Sequence, residues 1–416
     1  MWELIKSNQR KSIFLFLGMA VTLILLGYLI GSTFSPDGGG LFGVSIAIII
    51  WTVMSIISLT AGSSLMLSIS KAQEVTPAVH QQLFNVVEEM KIASNLPAMP
   101  KVYIINTEAM NAFATGKDPS KSAVAVTAGL LSKLNRDELQ GVIAHEISHI
   151  LNRDTRFITY AAVMLGSIVI ISQIFLRGMF YSGSGRRYSS KSKGGGQGQI
   201  IFLVIAILFA ILAPIMARLL YFAISRKREY LADASAARLT RYPEGLASAL
   251  EKISECTDEL PSANKVTAAL YIANPLKKKG MKLSDFTSTH PPISERINIL
   301  RGMMHGHGVN YSDYQKAFSL VKKSSSVIIP SSGLSDNSAI PLRDAGEQFE
   351  EHLSAVEEKR KMGNIMMAVN NYSSLTCQCG MKIKIPPAFG TNKPEIICPK
   401  CGSVNKVELA ERMNLK

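Results

Sequence analysis

Residues 145–176 read HEISHILNRDTRFITYAAVMLGSIVIISQIFL. The first five letters set two histidines four positions apart, with a glutamate after the first. Within ten more residues the stretch becomes an apolar run. On a helix, His145 and His149 share one face a turn apart, so both imidazoles can reach one ion, and Glu146 is directed toward the same point. Zinc lowers the pKa of a water it binds toward ~7, and a carboxylate is a suitable general base for that water. The apolar run, about residues 157–176, is long enough to cross a bilayer as a helix of roughly 20 residues. A water-activating metal site joined to a membrane span is therefore the starting point.

The 416-residue chain has room for two or three domains, and its 47% hydrophobic and 18% charged residues make it apolar and charge-poor against the usual quarter charged. The excess sits in four runs, about 12–34, 41–67, 157–176 and 200–222. The first is too long for the apolar core of a signal peptide and lacks a small-residue cleavage site, so it reads as a retained span. Lys6, Arg10 and Lys11 precede it, Lys71 follows the second run, and the SPDGGG between them has no cation. The positive-inside rule then places both termini and the soluble part on the cytoplasmic side of a multi-pass inner-membrane protein. The third and fourth runs read as a spanning hairpin, with a pair buried in protein or lying in the interface as the rival. Their loop carries Arg177, Arg186, Arg187, Lys191 and Lys193, against the rule, while Arg153, Arg156, Arg218, Arg226, Lys227 and Arg228 pull the other ends inward. Because Lys and Arg flank the runs, the net charge of +14 points to a polybasic membrane face rather than to nucleic acid.

Residues 71–155 alternate a charged helix with three extended pieces, KVYIIN, AMNAFATG and SAVAVTAGLL. The helix of the metal motif follows, with Asn135 as N-cap and Glu138 three residues on. A third ligand comes from RKREYLADASAARL, where Glu229 and Asp233 are again four apart. Most such pairs are solvated helix faces, but here the spacing argues otherwise. His149 lies eight residues before Phe157 and Glu229 seven after Phe222, so both stand ~10–12 Å from the membrane end of their helices. Two antiparallel helices leaving the bilayer side by side bring them to one height. Asp233 can then hydrogen-bond a ligand imidazole and fix its tautomer.

HEISH, EYLAD, NAFATG at 111–116 and STHPPISERI at 288–297, with their flanking spans, closely resemble the HtpX-type membrane zinc endopeptidases over about residues 1–302. These are gluzincins, related to the prenyl-protein CAAX protease. The resemblance implies His145, His149 and Glu229 as ligands of a catalytic zinc, Glu146 as general base and Asp233 as the group orienting an imidazole. It implies that Asn111, Ala112 and Phe113 form an edge strand beside the cleft, which suits holding an extended peptide by β-addition. It also puts His290, in a turn made rigid by two prolines, and Arg296 near the site, where a donor could stabilise an oxyanion. The plain alternatives are a packing histidine and an arginine ion pair.

Near the C-terminus Cys377 and Cys379, then Cys398 and Cys401, form two close pairs, each followed by glycine. Four thiolates so spaced suit a structural zinc in a ribbon, although the first pair is C-x-C rather than C-x-x-C. The count of five cysteines, with Cys256 alone, argues against a disulfide framework. With only Tyr372 and Phe389 as aromatics, the ribbon lacks a stacking platform for nucleic acid, and a protein partner suits it better.

The expected fold is thus an α+β membrane protein with up to four transmembrane helices, a mostly helical gluzincin-like catalytic domain with a small β-sheet, and a C-terminal zinc ribbon. The expected divisions are two spans (1–70), a catalytic domain (71–302) interrupted by the hairpin (157–222), a Ser/Gly/Pro-rich linker (303–345), an amphipathic helix (346–370) and the ribbon (371–416). The expected activity is zinc-dependent cleavage of polypeptides, membrane proteins above all, in quality control at the cytoplasmic face. A dedicated maturation protease for one prenylated substrate is an alternative, disfavoured because four spans fall short of the seven of the CAAX architecture. A non-catalytic scaffold recruiting through the ribbon is disfavoured because every ligand and the base are present.

Overall fold

The computed structural model describes all residues except 1, 36, 183–195, 264–267, 269, 274, 276–290, 305–308, 324, 330–339, 347–353, 388–394 and 407–416. Within the helices, 2–9, 11, 12, 15, 179–182, 196–202 and 216–225 are described by their backbone alone. His290 and the loop cations Arg186, Arg187, Lys191 and Lys193 lie outside the described residues.

Two long helices open the chain, α1 (Trp2–Phe34) and α2 (Gly39–Ile69). Each carries G-x-x-x-G, at Gly27/Gly31 and Gly39/Gly43, and the four glycines face one another. A Cβ on Gly43 would strike the carbonyl oxygen of Gly27, and one on Gly31 that of Gly39. In lipid no hydrophobic force drives helices together, so backbone contact of this kind does. Phe14, Phe42 and Ile49 are exposed on the outer faces. Gly43→Leu is expected to pry the pair apart at an overpacking cost of about 1–3 kcal/mol. The thermal midpoint of the detergent-solubilised protein should fall, while Ile49→Leu, on the outer face, leaves it in place.

Among the described residues, three helical segments are long and apolar enough to cross a membrane: Phe16–Phe34, Gly39–Ile69 and Asp154–Gly178. A shorter apolar stretch, Leu203–Ile215, lies within the helix that follows them.

A four-stranded sheet follows α2. Its strands are β1 (Ala72–Glu74), β2 (Lys101–Ile105), β3 (Ala112–Asp118) and β4 (Lys121–Thr127), in the order β1-β2-β4-β3. Strands β2 and β4 are parallel and the outer pairs antiparallel, with α3 (Gln81–Ala93) between β1 and β2. Alternate residues of a strand point to opposite faces, and here both faces are covered. Val102, Ile104, Ala112, Ala114, Val124 and Val126 join a core made with the soluble helices. Ile105, Phe113, Ala123 and Ala125 join a second core with Met66, Ile158 and Ala162 of the membrane helices. The sheet is the partition between the two, which is why β4 is continuously apolar from Ala123 to Val126.

The helices that follow are α4 (Ala128–Lys133), α5 (Arg136–Leu151), α6 (Asp154–Ser182), α7 (Gly196–Thr240), α8 (Pro243–Glu255) and α9 (Ile293–Met303). The chain departs here from the symmetrical hairpin that the spacing predicts. Glu229 does ride on the helix carrying the apolar stretch, since α7 runs unbroken for 45 residues. His145 and His149 do not: Arg153 adopts a left-handed φ of 57° and ends α5, so α6 starts anew. A single left-handed residue leaves no mark on hydrophobic periodicity.

The stretch read as a linker is also different where it is described. It holds α10 (Tyr311–Lys322), whose Tyr311, Tyr314 and Phe318 are buried in the soluble core together with Ile329. Arg343 then ties it to the metal helices. Nη2 donates to Asp137 and Gln140 on α5, both at 2.7 Å, and Nε donates to the Thr240 carbonyl on α7 at 3.0 Å. The Ser, Gly and Pro-rich flanks obscured a helical spacing that Tyr311, Tyr314, Phe318 and Val321 do carry. Helix α11 (Ala355–Val369) adds Met362, Ile365 and Val369 to the same core. Last come two small antiparallel hairpins, β5 (Ser373–Thr376) with β6 (Lys382–Ile385) and β7 (Glu395–Ile397) with β8 (Val404–Lys406).

Candidate metal centre

Helix α5 starts with a full capping box, Asn135 accepting from the Glu138 N–H and the Glu138 carboxylate accepting from the Asn135 N–H. Gly141 lets the backbone of α8 approach at Gly245 and Leu246, and from Asp137 to Ile150 every α5 residue is buried. The helix is held on all sides, and so are the side chains at its end.

Three side chains converge there. Nε2 of His145 lies 3.2 Å from Nε2 of His149. Glu229, from α7, brings Oε2 to 3.6 Å from His145 Nε2 and Oε1 to 3.4 Å from His149 Nε2. Four-coordinate zinc with bonds of ~2.0–2.1 Å requires donors about 3.4 Å apart, and these spacings bracket that value. Beside them, Glu146 Oε1 is buried without a hydrogen-bond partner. An acceptor left so in a dry site costs about 1–3 kcal/mol or more, so it is aimed at a group that arrives with a ligand. The donor set and this oxygen fit a zinc ion and its water.

Each imidazole is held from behind by a carboxylate, and each carboxylate by a guanidinium. Asp233 Oδ1 is 2.9 Å from His145 Nδ1, and Arg296 donates to Asp233 from Nε at 2.8 Å and Nη2 at 2.7 Å. Asp154 Oδ2 is 3.4 Å from His149 Nδ1. Arg228 Nη1 is 3.3 Å from Asp154 Oδ1, with its guanidinium 3.9 Å over the Phe157 ring. These contacts turn both Nε2 atoms toward Glu229.

The charges follow from the packing. Burial pushes the Glu146 carboxyl up, and the nearby imidazoles only partly offset this. Burial pushes His149 down, but hydrogen bonds to Asp154 and Glu229 outweigh it and raise the imidazole to about 10. His145 is raised in the same way by Asp233 and Glu229. Burial acts to raise Asp233, and the Arg296 charge overrides it, holding the carboxyl below the usual range.

Of the remaining expected site residues, Ala112 and Phe113 begin β3, the outer strand, and Asn111 immediately precedes it rather than belonging to it. Phe113 packs edge-to-face on Tyr271 in the membrane-side core, centroids 5.2 Å apart, so its ring belongs to that core and not to the metal cluster. Arg296 is fully buried, with Nε and Nη2 given to Asp233 and Nη1 donating to the Ile272 carbonyl at 3.0 Å. His290 lies outside the described residues. Asp154 and Arg228 went unrecognised as site residues, Arg228 being read only as a cation that orients a span. The available signal was an acid five residues after His149, at the threshold of an apolar run, where an unpaired charge is costly.

The four cysteines form the second cluster, their sulfurs all within 4.8 Å. Cys377 and Cys401 are 3.5 Å apart, and Cys379 and Cys398 3.7 Å. Zinc–sulfur bonds of ~2.3 Å call for about 3.8 Å. Gly380 and Gly402 take left-handed φ of 80° and 73°, a turn that a side chain would strain. It folds the C-x-C pair back as well as the C-x-x-C pair.

The model of peptidase family M48 matches residues 77–304. A curated relative, "Protease HtpX homolog" of Dictyoglomus turgidum, is 46% identical over 302 residues, covering 73% of this chain and 94% of that one. The "Protease HtpX homolog" of Streptococcus uberis is 40% identical over 307 residues, covering 73% of this chain and all of that one. A crystal structure of Ste24p from S. mikatae is 20% identical with a TM-score of 0.37, over 72% of this chain and 67% of that chain. Helices α10 and α11 and the cysteine cluster lie beyond the family match.

Proposed function

We propose, on the premise that this chain belongs to peptidase family M48 and is a membrane metalloprotease, that it hydrolyses peptide bonds with one catalytic zinc held by His145, His149 and Glu229. The observation that carries this is the convergence of three donors at tetrahedral spacing beside the unpartnered oxygen of Glu146. When bound, the ion would polarise the peptide carbonyl and the attacking water. The chain's own residues do the rest. Glu146, raised by burial, takes the proton from the water and hands it to the departing amine. Asp233 and Asp154 keep each imidazole in the tautomer that offers Nε2. The edge of β3 at Asn111 and Ala112 offers hydrogen bonds to a peptide backbone. His290 is the proposed further donor to the oxyanion, and Arg296 a proposed substrate contact. Cys377, Cys379, Cys398 and Cys401 would hold a second, structural zinc in a module suited to a protein partner.

The substrates are polypeptides, and we assign membrane proteins in quality control at the cytoplasmic face as their class. Asp154, which orients His149, is the first residue of a helix long and apolar enough to cross a membrane, which supports a centre close to the membrane surface. Chain leaving lipid would meet it before cytosolic protein does.

Removing the metal tests this. A chelator should abolish cleavage of β-casein by the detergent-solubilised protein, and zinc should restore it. The apparent zinc affinity has a definite pH dependence. His149 is raised from the ~6.5 of a free imidazole to about 10. In the metal-free protein its charged form therefore stabilises the fold fully below ~6.5, and that contribution is lost as pH rises through about 10. Zinc must displace this proton, and that of His145, raised likewise, so affinity should rise at least about tenfold per pH unit as pH climbs through the window. Cleavage that survives complete chelation would sink the assignment.

A further inference from the structure

The polar groups expected to hold substrate at Asn111, Ala112 and Arg296 are already engaged, and one short stretch of the chain engages them all. The Ile272 N–H donates to the Ala112 carbonyl at 2.9 Å. The Ile272 carbonyl accepts from Arg296 Nη1 at 3.0 Å. Asn111 brackets the next residue, Nδ2 donating to the Ala273 carbonyl at 3.0 Å and Oδ1 accepting from the Ala273 N–H at 3.4 Å. Each of these hydrogen bonds is made to backbone. Contacts of that kind read no side chain, and any polypeptide laid there could make them.

The position matters as much as the contacts. The Asn111 carbonyl points inward, accepting from the Thr127 N–H of β4, and the Ala112 carbonyl points outward to Ile272. Ala114 is the next residue facing outward, and its N–H acts on the Glu146 carboxylate. Two residues along a strand span roughly 7 Å, so a chain bonded to Ala112 lies one dipeptide from the general base. Arg296 Nη1, which holds the Ile272 carbonyl, is 3.8 Å from Glu229 Oε2.

The stretch is firmly anchored. Tyr271 is fully buried, its ring against Phe113 and its hydroxyl donating to Ser70 Oγ at 3.0 Å. Ser70 is the C-cap of α2, so the anchor is the end of a membrane helix.

We propose that Leu270–Ala273 is a built-in occupant of the peptide-binding edge, a strap that stands in place of substrate backbone beside the metal centre and must be displaced before a polypeptide binds. The proposal rests on reading that centre as the protease site. The chain bends at residues 271–273, so the strap takes the hydrogen bonds of a substrate without laying an extended bond of its own along the edge. The apparent affinity for a polypeptide is then its intrinsic affinity reduced by the fraction of molecules with the strap released. Loosening the strap should raise affinity without altering the metal site.

Binding is the readout that isolates this. Full-length Glu146→Gln protein in detergent is titrated with fluorescently labelled β-casein, an unfolded polypeptide, and anisotropy is followed. The same background is prepared with Tyr271→Phe, which deletes only the hydroxyl on Ser70, and with Ile272→Pro, which deletes the N–H on Ala112. Casein should bind several-fold tighter to the first and about tenfold or more tighter to the second. Hydrogen exchange at 270–273 should speed up when casein binds the protein with its strap intact. Binding that is unchanged, weaker or absent in the strap variants, or casein that protects 270–273 from exchange, overturns the proposal. If Ile272→Pro does not fold, the isosteric Tyr271→Phe decides. The binding measurement needs no cleavage. Tighter binding by strap variants, with no cutting of casein by protein retaining Glu146 and zinc, would refute the protease reading and leave the strap standing.

Discussion

Glu146→Gln is expected to lower the rate of peptide cleavage by about 10²–10⁴-fold, the range that a positioned general base contributes, with metal content unchanged. The amide keeps the shape of the carboxylate but cannot accept a proton. Glu146 is not among the three converging donors, so its loss leaves the metal held. The two quantities can be read on one preparation, metal by mass spectrometry and cleavage by single-turnover proteolysis of β-casein. A variant that cuts as fast as the parent would move the base elsewhere. A variant that loses its metal would make Glu146 a ligand instead.

The second large effect is on stability. Arg296 and Asp233 are both fully buried, and the guanidinium meets both oxygens of the carboxylate. Removing one partner of such a pair costs about 3–5 kcal/mol, because the other charge stays buried without compensation. Arg296→Met should therefore lower the thermal midpoint by roughly 6–20 °C, at ~2–4 °C per kcal/mol for a domain of this size. Arg296→Met with Asp233→Leu removes both charges and should recover most of that loss. It should not recover zinc affinity, since His145 then has no carboxylate on Nδ1. If the double variant is no more stable than the single one, the ion pair is not the origin of the loss. The pH dependence runs with the sign of the Asp233 shift. Its folded value is depressed by Arg296, so the stabilisation is present above the unfolded value near ~3.9 and is lost as pH falls through the lower folded value.

The ion pairs also explain how the C-terminal quarter serves the centre. Arg343 touches α5 at Asp137 and Gln140, and it touches the end of α7 at Thr240. Those are the helices that carry the histidines and Glu229. The segment beyond the family match is thus bound to the far ends of both ligand-bearing helices. A composition rich in Ser, Gly and Pro suggested a tether there, because composition does not register where a single arginine lands.

Much of the centre was legible in the chain alone. His145 and His149 four apart, Glu146 between them, and Glu229 with Asp233 four apart are local patterns, and a helix turns spacing of that kind into a shared face. The apolar runs are legible for the same reason, since a bilayer sets their length. The four cysteines are legible because thiolates in close pairs suit one ion. What the chain alone withheld depends on contacts between residues far apart in it. Asp154 pairs with Arg228 and Asn111 with Ala273, and no spacing rule spans 74 or 162 residues. The break at Arg153 is one backbone torsion, invisible to periodicity. The role of Arg296 depended on which acceptor lay within reach, and the folded chain gave it Asp233 and Ile272. Sequence thus determined which side chains could share one centre, through residue types at helical spacing. Only the tertiary structure decided what orients each ligand and what lies on the edge of β3, because hydrogen bonds are made at ~3 Å in space, whatever the separation along the chain.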